Sequence, residues 1–102
     1  MNKRFNARVT WLTSEQGGRQ TLPFGDKYAP IIRIISPYVE PLPLDNKDGP
    51  WSLFVHNKQT KSKNETIADV WYLSKEAPDN LFIGVEFELY EGAKLVAKGH
   101  II

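Results

Sequence analysis

An all-β protein, a small closed antiparallel barrel of about six strands, is the fold this chain predicts. Three observations carry that expectation. Apolar and polar residues alternate with a period of two in several short segments, no window of about eleven residues shows a helical period, and turn residues separate the segments without a helical crossover. Closing so small a sheet also removes the unpaired edges that an open one would present. At 102 residues the chain is long enough for one core and too short for two, so residues 1–102 read as a single domain.

Taken in order, Phe5 to Leu12 sets Ala7, Val9 and Trp11 against Arg8 and Thr10, the pattern of a half-buried strand. Thr13 to Pro30, TSEQGGRQTLPFGDKYAP, follows as a stiff connection. The Gly17-Gly18 pair permits a sharp turn that brings Arg19, Gln20 and Thr21 to one side, Pro23 and Pro30 fix φ, and Phe24 and Tyr28 offer rings to pin the segment to a core. Ile31 to Ile35 has isoleucine on both faces with Arg33 between, which predicts a strand buried on both sides or covered by a partner. The four prolines of Pro37 to Pro50 exclude a central strand, and an ordered crossing over one barrel end, with Leu42 and Leu44 inward, is expected there.

Trp51 to His56 and Thr66 to Leu73 read as the next two strands, the latter with Ile67, Val70 and Tyr72 or their neighbours inward. The polar run Asn57 to Glu65 between them reads as a mobile hairpin tip, with Lys58, Lys61 and Lys63 forming a local positive cluster. After a turn at Ser74 to Asn80, centred on Pro78-Asp79-Asn80, the chain gives its clearest alternation: Leu81, Ile83, Val85, Phe87 and Leu89 of the segment Leu81 to Tyr90 are predicted core. Glu91-Gly92 turns the chain into Lys94 to Ile102, in which Gly99 marks a bulge or a close approach where the barrel closes.

Charge is nearly balanced, with 13 Lys and Arg against 12 Asp and Glu, so no global field draws the chain to nucleic acid or an anionic membrane; a polyanion site would be local. Cysteine is absent, which excludes disulfides, thiolate metal sites and cysteine nucleophiles. Neither a signal-peptide pattern nor a membrane-length apolar run occurs, and the expected location is the cytoplasm, with no membrane contact. The Asn64-Glu65-Thr66 glycosylation pattern is then fortuitous.

Residues suited to catalysis are few. His56 and His100 belong to separate strands and lack a third metal ligand beside them. Glu86 and Glu88, about 7 Å apart on one face of a strand, read as a solvent-facing stripe. None of Ser14, Ser36, Ser52 and Ser74 lies in a nucleophile elbow, and Gly17-Gly18 lacks the lysine and the pattern of a phosphate loop. The chain reads as a non-enzyme without metal, cofactor or nucleotide.

Two runs carry a family resemblance. Glu15, Gly17, Gly18, Arg19, Thr21, Pro23, Phe24, Tyr28 and Pro30 resemble the run that opens the C-terminal β-barrel, domain III, of translation elongation factor Tu and its relatives. Phe87 to Gly99, FELYEGAKLVAKG, is similar to the last hairpin of that barrel. The resemblance implies a six-stranded barrel, here without the GTPase domain, and a translation-related role. It also implies that the 13–30 segment contacts another protein or RNA. Leu22 is an extra residue relative to that run, Gln20 stands where a histidine is usual, and apolar residues replace the polar ones after Pro30. The expected function is therefore a binding module that docks a protein through Gly17, Gly18, Arg19, Gln20, Thr21, Phe24 and Tyr28. RNA binding, aided by Lys58, Lys61 and Lys63, is the alternative.

Overall fold

A computed structural model describes residues 3–13, 15, 28–36, 51–77 and 80–102. Six strands make up the sheet: β1 (Phe5–Trp11), β2 (Ile31–Ser36), β3 (Trp51–Ser62), β4 (Glu65–Tyr72), β5 (Glu86–Glu91) and β6 (Lys94–Ile101). Every pairing is antiparallel, and the order β1-β4-β3-β2-β5-β6 closes on itself through β1 and β6. Among the described residues no helix is long and apolar enough to cross a membrane.

Alternation builds the interior. Ala7, Val9 and Trp11 of β1, Leu53 and Val55 of β3, and Phe87 and Leu89 of β5 are buried in one core, with Ile32 and Ile34 of β2 beside them. In β4 the inward set is Thr66, Ala68, Val70 and Tyr72, so at the start of the strand the neighbours of Ile67 face in and Ile67 stands half-buried on the other face. The polar exception in the core is satisfied: Trp11 Nε1 donates to Thr66 Oγ1 at 2.9 Å, and that hydroxyl donates to Asn57 Oδ1 at 2.8 Å. Such a chain offsets the cost of burying an indole N–H and a hydroxyl.

Two sequence expectations are corrected. First, β5 begins at Glu86 and not at Leu81: Gly84 adopts φ +97°, which breaks the extended run, and Ile83 is 78% exposed and outside the core. Second, Asn57–Glu65 is no loop, because β3 runs on to Ser62, with register shifts between Asn57 and Gln59 and between Thr60 and Ser62, and turns only at Lys63-Asn64. In the last hairpin a register shift lies between Leu89 and Tyr90, and of the two readings of Gly99 the close approach is the one observed. A Cβ there would stand 2.7 Å from Phe87 Cζ and 2.9 Å from the Arg8 carbonyl oxygen. The expected crossing at 37–50 and the Pro78-Asp79 turn core lie outside the described residues.

Candidate functional site

Antiparallel pairing puts four chain segments at one end of the barrel. The end of β1 meets the β3–β4 turn through Trp11 N–H to the Asn64 carbonyl at 2.7 Å, and the following Leu12 N–H bonds the Val96 carbonyl of β6 at 2.9 Å. The β5–β6 turn at Gly92-Ala93 belongs to the same end, since β6 runs antiparallel to β1 and pairs Trp11 with Ala97. Tyr28, the fourth member, leads into β2.

Tyr28 is held in three ways. Its carbonyl accepts from Val55 N–H at 2.9 Å, and two residues on the Pro30 carbonyl accepts from Leu53 N–H at 2.9 Å, so the approach to β2 continues the β3 ladder. The ring stands 5.9 Å from that of Trp11, tilted by 51°. Its hydroxyl donates to Glu91 Oε2 at the end of β5. Backbone, ring and hydroxyl thus tie one residue to β3, β1 and β5. Proline suits position 30 because only its carbonyl is used in that bond to Leu53.

Of the expected site residues, Gly17, Gly18, Arg19, Gln20, Thr21 and Phe24 lie outside the described residues, as do Pro23 and the rest of 16–27. Tyr28 lies within them and pins the segment's end to the core, as its aromatic character suggests. Lys61 and Lys63 are exposed on the hairpin that reaches this end. Lys58 is set apart from them: its Nζ lies 3.4 Å from Asp69 Oδ1, an exposed pair in which the carboxylate already neutralises the lysine. Glu91 was not signalled as a partner of Tyr28 by any local pattern, since 63 positions separate them. Only the strand register brings them together.

The titratable residues weighed for catalysis sit elsewhere. His56 of β3 faces Asp69 of β4, while His100 lies on β6, separated from β3 in the ring by β4 and β1. Glu86 stands across from His100, which stands across from Arg8, and Glu88 is flanked by Arg33 and Lys98. These are cross-strand rows on the barrel wall, and in the Arg33–Glu88–Lys98 row the charge alternates. Tyr90 adjoins them, and its hydroxyl donates to Glu88 Oε1 at 2.8 Å. Burial first and that hydrogen bond second raise the Tyr90 phenol above its ordinary value, with Arg33 acting in the opposite sense. Among the described residues no group of three His, Asp or Glu side chains is placed to hold a metal.

No family model matches the chain, and no curated protein matches it.

Proposed function

We propose that this chain is a non-catalytic binding module that docks a partner protein through the 13–30 segment at the barrel end where Tyr28 is anchored. The carrying observation is that anchorage: ties to Val55, Trp11 and Glu91 fix the exit of the segment to three strands of the barrel. A segment whose end is already immobilised loses less conformational entropy on binding, so more of its contact energy becomes affinity. The resemblance to the C-terminal barrel of elongation factor Tu supports the same segment as the contact and suggests a cytoplasmic, translation-related setting. The place of Glu88 between Arg33 and Lys98, and of His100 between Glu86 and Arg8, supports a structural role for those groups over a catalytic one.

Recovery of proteins from lysate tests the reading. The wild-type chain is expected to retain a defined partner that the folded double variant Arg19→Ala/Phe24→Ala loses, whereas equal recovery by both would remove the segment from the interface. A second reading, RNA binding at this same end, is favoured by the exposure of Lys61 and Lys63 on the adjoining hairpin. It predicts binding of a hairpin RNA that Lys61→Ala/Lys63→Ala weakens and that falls steeply with salt.

A further inference from the structure

On the outer wall of β3 and β4, beside the N-terminal end of β1, aromatic and cationic side chains gather that the Tyr28 anchorage does not use. Inward positions on β3 are Leu53 and Val55, so Phe54 points outward, and it pairs in register with Trp71 of β4. The two rings lie 5.2 Å apart at 33°, side by side and only half-buried. Arg4, just before β1, lays its guanidinium over the Trp71 ring at 4.1 Å from Cζ to centroid. Lys3 stands 5.2 Å from the Phe5 centroid, and Leu73, the next outward residue after Trp71, is 54% exposed.

Outward aromatics are costly to leave half in water unless they pack among themselves or meet a ligand. Packing accounts for one edge of each ring here, but the cations indicate what the rest suits. Lys3 and Arg4 are both exposed, and among the described residues neither meets a carboxylate, in contrast to Arg8, whose Nε is 3.9 Å from Glu65, and to Lys58 with Asp69. Two cations that no described carboxylate meets, beside a pair of aromatic rings, complement a ligand that is anionic and flat at once. An acidic peptide supplies the charge but not the planes, and a buried double-helical stack supplies phosphates but hides its bases.

We propose that the Arg4, Phe54 and Trp71 wall is a stacking platform for a single-stranded nucleic acid. One base lies against the Arg4 guanidinium, which stands over the Trp71 ring, a neighbouring base lies against Phe54, and Lys3 meets the backbone phosphate. Arginine suits this place because its plane stacks as well as carrying charge. Pre-ordering of that plane by Trp71 spares the entropy of immobilising a long side chain on binding. The platform uses other side chains than those assigned to the docking segment and than the Lys61 and Lys63 tip.

Fluorescence anisotropy of labelled oligouridine and oligothymidine of about twelve nucleotides, beside an RNA duplex of the same length, at about 20 mM and about 150 mM salt, tests the inference. Both single strands are expected to bind at low salt with quenching of tryptophan emission, and to bind more tightly than the duplex; tighter binding of one than the other identifies RNA or DNA as the preferred strand. Phe54→Leu and Arg4→Ala should each weaken binding by about five- to a hundredfold, the span that loss of one stacked base corresponds to. Arg4→Lys, which keeps the charge and removes the plane, should also fail to restore it. Thermal unfolding checks each variant, and Arg4→Ala, at an exposed position, carries the test alone if Phe54→Leu does not fold. No single-strand binding at low salt, equal or tighter binding of the duplex, full rescue by Arg4→Lys, or losses confined to Lys61→Ala/Lys63→Ala would overturn it. The last outcome would place the nucleic acid at the Tyr28 end instead.

Discussion

Thr66 illustrates how much of this fold depends on single groups. Fully buried, it accepts from Trp11 and donates to Asn57, so its hydroxyl links β1, β4 and β3 in one chain. Thr66→Val keeps the shape but takes the acceptor from the indole N–H and one donor from Asn57 Oδ1, and should cost about 1–3 kcal/mol in urea unfolding, while Thr66→Ser should recover most of it. Gly99→Ala tests a different constraint, because the added methyl meets the Arg8 carbonyl and the Phe87 ring; overpacking of this kind costs about 1–3 kcal/mol. Tyr90 supplies a pH signature. Its phenol holds its proton more firmly folded than unfolded, so its contribution is fully present below the unfolded value near about pH 10 and is lost as pH rises through the raised folded value. Tyr90→Phe should flatten the alkaline fall in thermal midpoint, and an unchanged fall would assign it to other groups.

Elements were readable from sequence where one face of a strand meets the core and the other meets water. Phe5–Trp11 shows this cleanly, because its inward Ala7, Val9 and Trp11 alternate with polar residues. Two elements were misread for opposite reasons. Ile83 keeps perfect step with Val85, Phe87 and Leu89, yet the left-handed Gly84 between them turns the chain out of the sheet, and periodicity does not register a backbone angle. At β3 the strand outlasts its core: Lys58 to Ser62 is exposed and polar, held by backbone pairing to β4 with no apolar alternation to announce it. The last hairpin was legible at its turn. Gly92 takes φ +62° while no other described non-glycine residue has positive φ, the pattern of a turn with glycine first, so Gly92→Ala should lower stability by about 1 kcal/mol by strain alone.

For the whole molecule, the number of strands and their closure follow from length and alternation, whereas their order around the ring does not. Pairs such as Tyr28 with Glu91 and Arg4 with Trp71 exist only once register is set, which is why the sequence marked Tyr28 as an anchor without its partner and left the Arg4 wall unmarked. The ring is not uniform. β1 pairs from Phe5 to Thr10 with β4 and from Ala7 to Trp11 with β6, while among the described residues the register pairs between β2 and β3 are Ile31 with Ser52 and Ile32 with Trp51, extended by the carbonyls of Pro30 and Tyr28. Amide exchange should therefore open at Leu53 and Val55 before it reaches the β1 amides of Ala7 and Val9. Binding at the Tyr28 end would brace that thinner seam directly.

The most direct test of the docking claim is hydrogen–deuterium exchange of the chain alone and in complex with the protein it retrieves. Docking through 13–30 predicts slowed exchange in that segment and, across the seam, at Leu53 and Val55, with Phe82 to Gly84 at the opposite end unchanged. Protection concentrated at Phe82 to Gly84, or on the β3–β4 wall with none at 13–30, would contradict it.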